Sequence, residues 1–282
     1  MCQHLSTFRY ESRAENMVFF RLIVVILFLF ALFPAQAFSK SGHQILEEVF
    51  QANFFESFRA EVALRSEDSQ GKSFKLDLTM LLGSGNLRTD FSLLLIFREP
   101  LSSRGIKLLM LAQKSYPSRV YLYMPAYDRY LQLMGQDRDM KLGDSEISLN
   151  DLISSLPWEG THKFLGERAF SGKPCNVVET TYGGKKGKRI SFIEKKTLLP
   201  LYTRQLDTED NLLKTIEVKD FKKIGSKYKV TSMIVTNHQK NRSTVMKIKS
   251  SQWYIDIPRG VFQPDNLKFP LKELIEREGS GL

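Results

Sequence analysis

Phe91-Ser92-Leu93-Leu94-Leu95-Ile96-Phe97 opens the stretch from which the architecture of this chain can be read. The run breaks at Arg98-Glu99-Pro100 and again at Gly105. It resumes as Ile106 to Leu111, then Arg119-Val120-Tyr121-Leu122-Tyr123-Met124-Pro125, then Arg129 to Met134. It closes with Gly143-Asp144-Ser145-Glu146-Ile147-Ser148-Leu149-Asn150-Asp151-Leu152. Short apolar runs separated by turn residues predict consecutive antiparallel strands. A strand wetted on one side alternates apolar with polar. The runs at 91–97 and 106–111 do not alternate, so both of their faces are expected to be covered. The cover is either protein or something the protein carries.

Upstream, Lys72 to Leu82 alternates cleanly: Phe74, Leu76, Leu78, Met80 and Leu82 are interleaved with Lys75, Asp77 and Thr79. Glu56 to Arg65 leads into another strand. Before it, Ser41-Gly42-His43-Gln44 has the form of a capping box. Ile45, Leu46, Val49, Phe50, Phe54 and Phe58 follow at helical spacing. An amphipathic helix is predicted over about 42–56, with an aromatic face to bury. Ser148 is expected to cap a short helix that ends at Pro157, with Asp144 as a second capping residue.

Downstream the pattern is β again. Strands are expected at Thr161–Arg168, Cys175–Thr181, Arg189–Glu194, Pro200–Leu206, Leu212–Phe221, Tyr228–Asn237 and Ser243–Lys249. Pro270 precedes a last helix, Leu271 to Glu278. Roughly ten or eleven strands and two or three helices result. No helix of 10–15 residues lies between strands, which excludes a parallel βαβ arrangement. The fold class is mainly β (α+β). One antiparallel sheet this wide must curl or close, and the helix bearing Phe50, Phe54 and Phe58 is placed to plug its concave side.

Ahead of the domain, Met17 to Ala37 has a basic start at Arg21, an apolar run Leu22–Phe33 and a small-residue site Ala35-Gln36-Ala37. This predicts a secretory signal (17–37) cut after Ala37. A membrane anchor is the competing reading; the run is short for the ~20 residues of a span, and Pro34 ends it. Residues 1–16 do not resemble the start of such a signal and read as an extension upstream of a start at Met17. Removing 37 residues from 282 leaves 245, enough for one large β domain over 38–282. Phe38, not Cys, follows the cut, so no lipid-modified terminus is expected. Cys175 is then the sole cysteine and reads as a small apolar strand residue. The net charge of +10 predicts attraction to anionic surfaces of the cell envelope; nucleic acid is excluded as a partner by that compartment.

Residues in this order resemble the outer-membrane lipoprotein-sorting (LolA-like) family. They are Phe97-x-x-Pro100…Gly105-x-x-Leu108-Leu109 and Tyr121-x-Tyr123-x-Pro125-x-x-x-Arg129. Next come Gly143-Asp144-Ser145-x-x-Ser148-x-x-Asp151-Leu152 and Leu199-Pro200-Leu201. The last are Asp207…Leu213-Lys214, Met233-x-x-Thr236-Asn237 and Thr244. The resemblance spans about residues 43–268. It implies a single LolA/LolB-like carrier domain, an unclosed antiparallel β-barrel wrapped around a plug of helices with an apolar cavity between. It implies a monomeric, non-catalytic periplasmic protein whose cargo is a lipid or an acylated lipoprotein. Its partners would be an inner-membrane exporter, of the proton-driven RND type in the subgroup resembled most, and an outer-membrane acceptor. The arginine of classical carrier cavities has no clear counterpart here; Arg129 and Arg88 are the candidates.

The expected cavity lining is Phe50, Phe54 and Phe58 on the plug, with Leu76, Leu78, Leu93, Leu95, Leu109, Leu111, Tyr121, Tyr123 and Trp253 on strands. Each alone reads as an ordinary core residue; the group is what suggests a lipid site, because acyl chains need concave apolar surface. Tyr121 and Tyr123 add hydroxyls for a headgroup. No cofactor or metal is expected: His43, His162 and His238 are scattered without ligand spacing. Gly183 to Lys188 is a charged turn rather than a phosphate loop. The alternative function is an accessory or sensor subunit that docks on a transporter and carries nothing. A lipid hydrolase would need a nucleophile–base pair that the sequence does not offer.

Overall fold

In the computed structural model the described residues are 40–279, apart from 54–55, 69, 85–89, 115 and 184–186. The expected signal segment and Phe54 and Arg88 lie outside them. Thirteen strands form one antiparallel sheet in the order β6-β5-β4-β3-β2-β1-β13-β12-β11-β10-β9-β8-β7. The first six are β1 (Phe58–Asp68), β2 (Ser73–Ser84), β3 (Asp90–Glu99), β4 (Lys107–Gln113), β5 (Tyr116–Met124) and β6 (Arg129–Leu133). The other seven are β7 (Thr161–Phe170), β8 (Lys173–Thr181), β9 (Lys188–Glu194), β10 (Pro200–Leu206), β11 (Leu212–Ile224), β12 (Lys227–Asn237) and β13 (Arg242–Trp253). Each strand pairs with the next in sequence except β6, which does not pair with β7, and β13 returns to pair with β1. The sheet is therefore two meanders joined at β1–β13, with β6 and β7 left as edges. The runs expected at Arg129–Met134 and Ser243–Lys249 form β6 and β13 although they bury little, β6 only Leu133 and β13 only Thr244, and the total of thirteen exceeds the ten or eleven expected.

The sheet curls instead of lying flat, as its width requires. Register shifts recur along it, at Glu61/Val62 in β1, Asp77/Leu78 in β2 and Phe164/Glu167 in β7, and bulges of this kind sharpen local coiling. Segment 134–160 crosses between the two edges along the concave side. It carries a 3-10 turn at Gly135–Asp139, a bridge between Lys141 and Ser148, and the single-turn helix α2 (Leu149–Ile153).

Helix α1 (Gly42–Asn53) lies in the same concavity against β7, β8 and β12. Its start is the capping box read from the sequence: Gln44 N donates to Ser41 Oγ at 3.2 Å, and Ser41 N donates to Gln44 Oε1 at 2.8 Å. Gly42 is needed for space, since a Cβ there would sit 2.9 Å from the backbone carbon of His162. The helix is shorter than expected. Phe58, assigned to its aromatic face, is instead the first residue of β1, so the plug helix presents Ile45, Val49 and Phe50.

On the other side of the sheet the chain from Ile257 to Leu274 straps across β2–β5. It ends in α3 (Leu271–Gly279). No helix among the described residues is long and apolar enough to cross a membrane.

Candidate functional site

The inner face of β1–β5 is a continuous apolar surface. Phe58, Ala60, Val62 and Leu64 line it from β1, Leu76, Leu78 and Leu82 from β2, and Leu93 and Leu95 from β3; Leu108 and Met110 add β4. Alternation along each strand puts these side chains on one side. The space above them is filled by the crossing segment. Leu142, Ile147, Leu149, Ile153 and Leu156 are each 4% exposed or less. Phe50 completes the fill, with its ring 5.8 Å from that of Phe91 and edge-on to Trp158 at 5.0 Å.

What fixes the crossing segment is polar and lies toward the opposite wall. Ser148 Oγ accepts from Asp151 N, and Ser148 N donates to Asp151 Oδ2 at 2.8 Å, so α2 carries its own capping box. The same carboxylate meets Lys214 Nζ at 3.0 Å and accepts from the Gln205 amide at 2.7 Å; Arg189 Nη2 stands 4.0 Å away. Burial alone would raise the Asp151 carboxyl. The charges of Lys214 and Arg189, with the Ser148 and Gln205 donors, outweigh it and hold the pKa below the usual value.

Glu146, wholly buried, accepts from Lys141 Nζ at 2.7 Å and from the Asn237 amide at 2.8 Å. Its backbone N–H donates to Thr244 Oγ1, which shares a 2.7 Å bond with Ser66. Asp144 does not cap a helix as expected. It pairs with Arg242 at 2.6 Å on the rim.

Sequence reasoning found the Ser148 cap but assigned the rest of this network no role. Its members nonetheless include polar residues on which the family resemblance rests: Asp144, Ser148, Asp151, Lys214, Asn237 and Thr244. The available signal was polar residues at inward positions of strands β9–β13.

Helix α1 is pinned the same way. Lys229 Nζ donates to the carbonyls of Ala52 (2.7 Å) and Asn53 (3.2 Å), and Lys227 Nζ to that of Gln51 (3.0 Å). Both lysines pair with Glu56. Cations at a helix C-terminus satisfy its free carbonyls and its dipole. The histidines, scattered in sequence, partly converge: His43 and His162 stack at 5.7 Å. His162 then reaches Thr180 Oγ1 (3.0 Å) and the carbonyl of Pro157 (2.6 Å), tying the end of the crossing segment to β7 and β8. Among the described residues no group of three or more His, Cys, Asp and Glu is placed to hold a metal ion.

The expected lining divides between two faces. Phe50, Phe58, Leu76, Leu78, Leu93, Leu95 and Trp253 gather on the inner side, Trp253 stacked on Phe58 at 4.4 Å. Leu109, Leu111, Tyr121 and Tyr123 do not join them. They face outward beneath the C-terminal strap, with Leu94, Val261 and Leu271. Their registers give the reason: Leu109 pairs with Leu94, not Leu95, and Tyr121 with Leu109. The Tyr123 hydroxyl is committed to Asp128 at 3.0 Å. The two-sided apolar runs are thus covered by protein on both faces. Arg129 is exposed at the start of β6.

The sheet, its plug and its unpaired edges define a LolA-like half-barrel. A domain described as an outer membrane lipoprotein-sorting protein, from Vibrio parahaemolyticus, superposes with a TM-score of 0.74 at 21% identity; the match covers 81% of this chain and 98% of that one. A DUF1329 family protein from Desulfovibrio piger gives 0.73 at 20%, covering 80% and 97%. A LolA superfamily protein from Nitrosomonas europaea gives 0.65 at 18%, covering 80% and 99%. At these identities the likeness is one of fold. Among curated proteins none matches in sequence. The chain belongs to the family whose model, described as "uncharacterized protein", matches residues 90–269.

Proposed function

We propose that this protein is a non-catalytic periplasmic carrier that holds the acyl chains of a lipid or lipoprotein against the inner face of β1–β5. The observation that carries the reading is the unlike anchoring of the cover. The crossing segment meets the inner face of β1–β5 with apolar side chains, holds its own shape through the Lys141–Ser148 bridge and one helical turn, and is fixed by a polar network toward the other wall. Lifting it would bare a ready apolar trough.

Magnitudes allow the exchange. Exposing five buried Leu and Ile side chains costs on the order of 10 kcal/mol, and an acyl chain of about sixteen carbons regains a similar amount at ~0.8 kcal/mol per methylene. Neither state wins by a wide margin, as reversible loading requires. Leu76, Leu78, Leu93 and Leu95, with Phe50, Phe58 and Trp253, are the side chains proposed to touch cargo. An exported location is supported by the Leu22–Phe33 run and Ala35-Gln36-Ala37. An inner-membrane exporter as donor and an outer-membrane acceptor are the partners this reading requires.

One observation favours the second reading, a docking or sensor subunit without cargo: the concave side is filled by the protein's own side chains. Hydrogen exchange with and without a saturating long-chain fatty acid separates the two. The carrier reading expects amides 142–156 to lose protection on loading while β2–β4 keep theirs. Unchanged exchange, with no bound fatty acid, supports docking alone.

A further inference from the structure

A second concavity lies on the outer face of the sheet, between β3–β5 and helix α3, with a volume of about 540 Å³. That size is in the range of small-molecule sites. Its apolar part is built by Ile96, Leu271 and Ile275. Five lining side chains are cationic, namely Arg59, Arg98, Lys107, Lys268 and Lys272, against one carboxylate, Glu276.

Two of the cations are compensated. Arg59 faces Glu61 at 3.4 Å, and Lys272 faces Glu276 at 3.7 Å. The other three have no carboxylate partner among the described residues. Arg98 Nε donates to Thr79 Oγ1 at 2.9 Å, whose own proton goes to Glu61. Lys107 is buried, 7% exposed, and donates to the carbonyls of Leu267 (2.6 Å) and Phe269 (2.5 Å). Those two carbonyls engage two of its three ammonium donors. Burial, with the charge of Arg98, lowers its pKa to about 8. Arg98 and Lys268 are exposed beside the buried Lys107, and a desolvated cation with further unpaired cations beside it favours an anion that joins them.

We propose that this outer pocket binds an anionic amphiphile, a phosphate or carboxylate head against Arg98, Lys107 and Lys268 with its first methylenes on Ile96, Leu271 and Ile275. The site stands on the opposite face from the acyl trough and does not depend on that reading.

Calorimetric titration of the mature chain tests it, with dioctanoyl phosphatidylglycerol, dioctanoyl phosphatidylcholine and inorganic phosphate as probes. Lys107 helps to hold the strap, so the variant combines the exposed residues, Arg98→Gln with Lys268→Gln. The anionic lipid is expected to bind one per chain, at least tenfold more weakly in the double variant, with the zwitterionic lipid at least tenfold weaker on the wild type. The lipid binding tenfold tighter than phosphate identifies a lipid as the source; equal affinities identify free phosphate, and either supports the anion site. Leu95→Ala, which alters the inner trough, is expected to leave this affinity unchanged. No binding, equal affinity for the two lipids, or equal binding by the double variant overturns the proposal.

Discussion

Leu94 and Leu95 are neighbours on β3, each 1% exposed, and they belong to different cores. Leu95 points into the concavity beneath the crossing segment. Leu94 points outward and packs beneath the C-terminal strap. The pleat separates them, and both faces of the strand are dry. Leu94→Ala and Leu95→Ala are each expected to cost about 2–5 kcal/mol, read by urea denaturation, but only Leu95→Ala should weaken fatty-acid uptake. A loss below about 1 kcal/mol for Leu94→Ala would mean the strap is not a second core.

The polar anchor of the crossing segment makes a contrast between two neighbouring acids. The Glu146 side chain has no exposure, whereas that of Asp144 is 48% exposed. Removing one member of a buried pair strands its partners and costs about 3–5 kcal/mol; a surface pair is worth about 0–1 kcal/mol. Glu146→Ala should therefore destabilise far more than Asp144→Ala. Similar chemical denaturation midpoints for the two variants would contradict the burial assigned to Glu146.

Lys107 gives a pH dependence with a definite sign. Folded, it releases its proton at about 8; unfolded, it keeps the proton up to its ordinary 10.5. Between these values the unfolded state binds more protons, so stability contributed at this site rises with pH. The Tm difference between wild type and Lys107→Met should shift toward the wild type from pH 7.5 to pH 10. A pH-independent difference would show that Lys107 is solvated.

Much of this fold was legible because its signals are local. Alternation marked β2, turn residues separated the hairpins, and Ser41 and Gln44 announced the start of α1. Faces were harder. An apolar run such as 106–111 has no period of two, so nothing in it says which side Leu109 takes; pairing with Leu94 and the arrival of a strap from residues 257–274 decide that. Phe58 extended a helical spacing that the chain has abandoned by Glu56. The Asp151–Lys214–Gln205 cluster joins residues up to 63 positions apart, which spacing rules do not reach.

The central claim, that the inner face of β1–β5 carries acyl chains, is tested most directly by native mass spectrometry with lipid extraction on the protein isolated from its native cells. The account predicts one lipid or acylated peptide per chain, lost from Leu95→Ala and retained by Leu94→Ala. A clean apo mass, together with no uptake of a fluorescent fatty acid, would contradict it and leave the docking function in its place.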